Sequence, residues 1–583
     1  MSNEHFDAIV VGSGFGGSTM AYRMAEAGWR VLLLERGKPF PPGSFPRDPA
    51  GMKGNFWEPK DGLHGMFDLW SFKHLDSLVS SGLGGGSLIY ANVLLRKDEK
   101  WFVRDEPGKP GWEYWMVNRQ DLDPHYDQVE RMMHAQEYPL GYDPYDGTMK
   151  TLAMREAAEA LGLDWDLVNL AVTFRNEGDL PIPGEPIREA HRNLHDRTRY
   201  TCRLCGECDA GCNYGSKNTL DYTYLSEAKR LGAEIRTLAE VKEFFPNASG
   251  GGYTVQYVEH TLGEATPSGA KRTVVTADVV VLGAGTYGST NLMMRNRAFF
   301  PGVNPKVLGT HYCGNGDLLT FAMNAKHTVG GKKVPRELNG SFGPVITSAI
   351  RMGDAADGAP HTGRGFYIED AGYPGFANWL LETGNRAGLV KRGLHFGLAR
   401  LKSALGIGHS TNIGKQVADL LGACTLSTSS VPMLGMGRDL PDGKLFLDGE
   451  CLESDWKIGG SDEYFGRMQK TMKAIAKHLD ADFVDNPIWY LGKRVITVHP
   501  LGGNPMGRNA EEGVVDEWGE VYNHPGLYVA DGSVMPGPVG ANPSLTIAAM
   551  ANRFADRLIE KRGRKVPALK VFDADVPAKQ PTA

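Results

Sequence analysis

Long apolar runs, a surplus of positive charge and a scattered set of cysteines are all missing from this chain of 583 residues. No uninterrupted apolar stretch approaches the ~18–20 residues that a spanning helix needs, so a transmembrane body is not expected. Lysine and arginine number 63 against 69 aspartates and glutamates, a formal net charge of −6, and the sequence pI lies near 6.3. Nucleic acid is therefore not an expected partner, because phosphate backbones require a basic footprint. Cysteines number only seven, four of them between positions 202 and 212, which speaks against a disulfide framework. The first apolar strand starts within a few residues of Met1, with no basic n-region or twin arginine before it. On that pattern the chain is expected to be soluble and cytoplasmic. Repeats and low-complexity arrays are also absent. What remains is an ordinary globular composition, 41% hydrophobic and 23% charged, with 74 glycines and 34 prolines that imply many tight loops over a large body.

The stretch from Phe6 to Glu35 carries the most information. An apolar strand, Ala8 to Val11, enters the turn Gly12-Ser13-Gly14-Phe15-Gly16-Gly17, a helix follows, and a second apolar strand, Val31 to Leu34, ends on Glu35. This order predicts a βαβ unit that holds a dinucleotide. Gly12 permits the tight turn, Gly14 lets the backbone approach a pyrophosphate, and Gly17 lets helix and strand pack closely. Phe15 and Gly16 belong to the same contact surface. The unpaired N–H groups at the helix start, and the positive end of its dipole, would face the phosphates. Glu35, 21 residues beyond Gly14, stands where a carboxylate can accept the ribose hydroxyls.

Further glycine turns follow. The run Ser81 to Asn92 places Gly82, Gly84, Gly85, Gly86, Ser87 and Asn92 where a backbone can lie flat against a planar or anionic ligand. A helix is expected from Asp123 to Ala135, with Asp123 as N-cap ahead of Pro124 and with Tyr126, Val129, Met132 and Met133 on one face. Val274 to Leu282 reads as a buried strand running into Gly283-Ala284-Gly285, with a helix over Thr290 to Arg295, and Val241 is counted with this cofactor-contacting set. Near the end, a short strand from Leu527 to Ala530 leads into Asp531 and Gly532. Asn542 and Pro543 then occupy the N-cap and N1 positions of a helix from Ser544 to about Glu560.

Taken together, these blocks resemble the glucose–methanol–choline (GMC) flavin oxidoreductases, and most of all their cholesterol-oxidase-like branch. The resemblance rests on GSGFGG with Glu35, GLGGGSL, VVVLGAGTYGST, CGNGD (Cys313 to Asp317), VHPLGG (Val498 to Gly503) and DGSVMPGPVGANPSLTIAAMANR (Asp531 to Arg553), which occur in the family's order. It implies an α/β protein with a discontinuous Rossmann-like FAD-binding domain over 1–130, 200–317 and 491–562. It also implies a substrate domain over 131–199 and 318–490 with a mostly antiparallel six-stranded sheet, and leaves 563–583 as a tail. By the same resemblance, His499 takes or orients the hydroxyl proton of an alcohol while hydride passes to flavin N5, and Asn542 pairs with it over the ring. The helix after Pro543 would then stabilise negative charge at flavin N1 and O2. Where cholesterol oxidases follow the GGGSL turn with Val-Asn-Gly-Gly, this chain has Ile89-Tyr90-Ala91-Asn92, so Tyr90 should alter packing beside the flavin. Glu369 is the nearest candidate for the glutamate with which such enzymes isomerise a steroid double bond; the alternative is a solvated or sheet-edge acid.

Cys202, Cys205, Cys208 and Cys212 have the spacing C-x2-C-x2-C-x3-C of bacterial iron–sulfur ligand runs, with Asn213 in place of the usual following proline. An iron–sulfur cluster there would give electrons an exit to a quinone or cytochrome; without it, O2 would be the acceptor. Zinc, and plain packing or a local disulfide, stand as the other readings. From Thr383 to Ala418 there is no acid, while Lys391, Arg392 and Arg400 accompany leucines at helical spacing. Such a basic amphipathic helix either docks on a membrane surface or packs on the substrate sheet. The expected substrate is a sterol or other bulky hydrophobic alcohol. A sugar or simpler alcohol, or a flavin- and lipid-binding protein without turnover, are the rivals.

Overall fold

The computed structural model describes residues 4–248, 250–354, 363–374, 425–486, 489 and 494–568. Strand β1 (Glu4–Val11), helix α1 (Phe15–Glu26) and strand β2 (Val31–Leu34) form in the order the glycine turn predicts. The last four residues of β1 and all of β2 are buried, as befits strands covered on both faces. β1 pairs in parallel with β2 on one edge and with the long strand Arg272–Leu282 on the other. The far edge of Arg272–Leu282 is shared, antiparallel with Tyr253–Glu259 along its first half and parallel with Leu527–Val529 over Val280 to Leu282. Glu234–Arg236 and Ala239–Pro246 complete a seven-stranded sheet. Sequence-distant strands thus bring the first glycine turn, the Gly283–Gly285 turn and the Asp531 turn to one end of one sheet.

A second, six-stranded sheet has the order Asp482–Asp485, Leu318–Met323, Val431–Gly437, Phe366–Asp370, Ser348–Met352, Asp164–Leu167, antiparallel throughout. Its alternation decides the geometry of the site. Leu318, Ala322, Met433, Phe366 and Ile368 pack with Met468, Met472 and Ile475 of the helix Asp462–His478. The residues between them, among them Leu319, Phe321 and Leu434, therefore face the other way, where they line a cavity. A three-stranded sheet of Phe67–Ser71, Leu75–Ser80 and Val495–Thr497 delivers the chain to His499.

The helix expected from Asp123 begins earlier, spanning Arg119–Met132. Asn118 is its N-cap and forms a reciprocal capping box with Asp121, a stronger start than Asp123 with Pro124. The amphipathic segment Thr383–Ala418 lies outside the described residues. No helix among the described residues is long and apolar enough to cross a membrane.

Candidate active site

The glycine turns open onto one cavity of about 1440 Å³, larger than the ~300–1,000 Å³ typical of a single small-ligand pocket. Gly12, Gly14, Phe15, Gly16, Glu35, Gly85, Gly86, Val241, Gly285, Asp531, Gly532, Asn542, Pro543 and His499 all line it. Gly17, Gly82, Gly84, Ser87 and Asn92, expected to contact the cofactor, stand behind its wall. Ser87 donates to the Gly84 carbonyl at 2.7 Å and accepts from the Leu220 N–H at 3.0 Å, so its hydroxyl is spent on the turn itself.

The cradle fits a dinucleotide. Gly12 has φ +97°, and a Cβ there would lie 2.4 Å from the Gly283 carbonyl oxygen; a Cβ on Gly16 would lie 1.5 Å from that of Ala530. On the cavity side, by contrast, Gly86 and Gly285 have nothing within 4 Å of an added Cβ. The first helical bond of α1 runs from Ser18 to the Gly14 carbonyl, so the N–H groups of the preceding turn lack intrahelical partners where the cavity begins. Glu35 is buried, accepting from the Ser13 N–H at 3.0 Å and hydroxyl at 2.6 Å and from the Gly37 N–H at 2.8 Å. Asp531 accepts from the Gly285 N–H at 2.9 Å and the Ser533 N–H at 2.9 Å, tying two of the turns together. Tyr90 meets the Phe15 ring edge-on at 5.4 Å between centroids and lines the cavity.

His499 follows directly from the edge strand Val495–Thr497. Its Nδ1 is 2.8 Å from Asp317 Oδ1, and the other carboxylate oxygen accepts from the N–H groups of Val498 at 2.8 Å and His499 at 3.1 Å. Such a contact assigns the Nδ1 proton to the carboxylate side and leaves Nε2 as the ring nitrogen available to the cavity. Asn542 caps its helix by position only. Its side chain makes no cap bond; Nδ2 lies 3.4 Å from Glu369 Oε2, and Oδ1 is buried with no partner among the described residues. Glu369 is fully buried on the cavity-facing side of its strand, opposite Leu434 in register. Burial pushes its carboxyl up to about 8, with the neighbouring Asp370 and Asp317 charges adding to the rise and the Asn542 contact opposing it. The reading of Glu369 as a solvated or sheet-edge acid is thereby corrected. Asp317 carried no individual signal in the sequence beyond its place in the CGNGD block.

The cysteine loop abuts this region without forming a ligand set. Cys202, Cys205, Cys208 and Cys212 are free, and among the described residues no group of three or more His, Cys, Asp or Glu side chains is gathered to hold a metal ion. Burial is the largest influence on Cys202 and Cys205 and pushes the Cys205 thiol up to about 12. Backbone packing shapes the loop instead: Gly206 donates to the Gly343 carbonyl at 2.9 Å, and Gly211 lies against the Phe45 ring. The iron–sulfur and zinc expectations at these four positions therefore find no prearranged geometry.

Two family models described as GMC oxidoreductase match residues 186–298 and 462–551, and one for an NAD(P)-binding Rossmann-like domain matches residues 10–40. The chain is 30% identical over 563 residues to a cholesterol oxidase of Mycobacterium tuberculosis, covering 94% of this chain and 90% of that one. It is 26% identical to a cholesterol oxidase of Acinetobacter baumannii, with 95% and 94% covered. It is 24% identical to a 2-methyl-1,2-propanediol dehydrogenase of Mycolicibacterium austroafricanum, with 95% of each covered. Among solved structures, pyridoxine 4-oxidase from Mesorbium loti is similar in fold, with a TM-score of 0.56 at 16% identity over 95% of this chain and 99% of that one. The chain belongs to the GMC oxidoreductases. It is an FAD-dependent alcohol oxidoreductase of that family.

Proposed function

We propose that the protein oxidises the hydroxyl of a sterol or other bulky hydrophobic alcohol to a carbonyl, with O2 as the final acceptor. The observation that carries this reading is the shared cavity. It is lined by the glycine cradle, by His499 and Asn542, and by an apolar sheet face of Leu319, Phe321, Met323, Pro432 and Leu434. FAD, when bound, supplies the two-electron acceptor. Gly12, Gly14, Phe15, Gly16, Glu35, Gly85, Gly86, Val241, Gly285, Asp531, Gly532 and Pro543 would hold it.

The chain's own residues manage the hydroxyl. His499 Nε2 takes the proton, and Asp317 holds the ring in that tautomer and faces the positive charge the ring acquires. The Asn542 amide, with Oδ1 unspent and Nδ2 only loosely engaged, gives the substrate oxygen its second fixed neighbour. Glu369, neutral near pH 7, backs that amide without placing a second negative charge beside Asp317. The same reading assigns 1–130, 200–317 and 491–562 to the cofactor and 131–199 with 318–490 to the substrate.

Anaerobic mixing with a sterol, a long-chain alcohol and a sugar tests it. The hydrophobic alcohols should bleach the flavin, and admitted oxygen should return it with formation of peroxide. Bleaching by the sugar alone would overturn the substrate class, reoxidation only by dye acceptors would overturn O2, and a flavin no alcohol bleaches would leave a binding protein.

A further inference from the structure

Asn542 stands at the end of an irregular arm, Pro536 to Ala541, that is buried along its whole length and belongs to no helix or strand. Buried backbone of this kind must find partners for its N–H and C=O groups outside regular structure. Three side chains from two distant segments, Lys97 and the stretch His311 to Asn315, supply them. His311 Nδ1 meets the Pro536 carbonyl at 2.9 Å. Lys97 donates to the carbonyls of Pro538 at 2.8 Å and Val539 at 3.1 Å. Nearest the end, the Asn315 carboxamide accepts from the Gly540 N–H at 2.8 Å and donates to the Ala541 carbonyl at 3.0 Å.

Asn315 is fully buried. It takes one donor and one acceptor from adjacent residues, and so holds the peptide groups on either side of the Gly540–Ala541 link, the second of which leads directly into Asn542. Its own backbone is held at φ +53° and accepts from the Gly437 N–H at 2.9 Å. Two residues further on, Asp317 holds His499. Two residues back, Cys313 exchanges both backbone bonds with Leu501, at 3.1 and 3.0 Å. A single loop, Cys313 to Asp317, therefore grips the His499 segment from one side and the Asn542 arm from the other.

We propose that Asn315 is a positioning residue that sets the Asn542 carboxamide relative to the His499 ring. This rests on the reading of His499 and Asn542 as the pair that handles the alcohol hydroxyl. Small misplacements of reacting groups cost up to about 10²-fold in rate, so the loss should fall on the chemical step and leave substrate binding nearly intact.

The test compares FAD-loaded wild type, Asn315→Gly, Asn542→Ala and the double variant by anaerobic stopped-flow with a hydrophobic alcohol. Glycine tolerates the positive φ, so Asn315→Gly removes the grip without straining the backbone. Its limiting rate of flavin reduction should fall about 10- to 100-fold, while the substrate concentration at half-saturation moves by less than about threefold. In the Asn542→Ala background the same change should add little, because the group it positions is gone. Asn315→Asp keeps an acceptor for the Gly540 N–H and loses the donor to Ala541, so it should fall between; it also serves if the glycine variant does not fold. A slow Asn542→Ala beside a wild-type Asn315→Gly, or losses that multiply fully in the double variant, would overturn the positioning role. A wild-type rate in Asn542→Ala would instead overturn the underlying pair, and the positioning role with it.

Discussion

On the sheet face turned toward the cavity, Glu369 has its carboxyl raised to about 8 by burial, against an ordinary carboxylate that ionises below pH 5 in the unfolded chain. Between those values the folded state binds a proton the unfolded state does not, so stability falls as pH rises through this window. Glu369→Gln removes that dependence. Melting curves should show the variant gaining on the wild type from pH 5 to pH 8, by an amount on the order of a few kcal/mol; parallel curves would contradict the burial argument. In the proposed mechanism Asp317→Asn removes the charge that faces the His499 ring as it takes the proton. Flavin reduction should slow by up to about 10²-fold, as the ring loses its fixed orientation, with FAD still bound. His499 and Asn542 were legible because short, distinctive motifs flank them. Glu369 was named only as a candidate beside a solvated-acid alternative, and Asp317 had no signal of its own. Which face of its strand Glu369 occupies depends on sheet register, and the partner of Asp317 lies 182 residues away.

Among the elements, the glycine turns divide into two kinds that the sequence alone does not separate. A Cβ on Gly16 would collide with the Ala530 backbone, whereas one on Gly86, a residue that lines the cavity, meets nothing within 4 Å. Gly16→Ala should therefore prevent folding or give colourless, unstable protein. Gly86→Ala should fold with a wild-type melting temperature in the cofactor-free form and bind FAD more weakly, which flavin titration would register. The βαβ unit was readable almost residue by residue because periodicity, glycine spacing and the terminal acid agree. The strand predicted over Val274 to Leu282 extends to Arg272–Leu282, since its first residues pair with Tyr253–Glu259, a partner invisible to local pattern. The helix predicted from Asp123 starts at Arg119 because a capping box of Asn118 and Asp121 outweighs a proline as a starting signal.

At the scale of the whole molecule, two sheets divide the work. One gathers glycine turns from both ends and the middle of the chain, and the other turns an apolar face to the same cavity. Phe321→Ala should raise KM for a hydrophobic alcohol about tenfold, the worth of one lost apolar contact surface, with kcat little changed; an equal fall in kcat would mean that this wall shapes the chemistry as well. The two-body architecture was readable through the resemblance and the spread of motifs. The cysteine spacing was legible as a ligand run, but among the described residues no group of three or more His, Cys, Asp or Glu side chains is gathered to hold a metal ion, because spacing constrains sequence distance and not the geometry of the side chains.

The proposed function stands on His499 and Asn542 acting together on an alcohol over bound FAD. Its most direct test is the anaerobic rate of flavin reduction in His499→Asn beside the wild type, both loaded with FAD and mixed with the same hydrophobic alcohol. The rate should fall about 10²- to 10⁴-fold in the variant, the usual worth of a positioned general base, with the flavin spectrum before mixing unchanged. Reduction of the variant at the wild-type rate would contradict it.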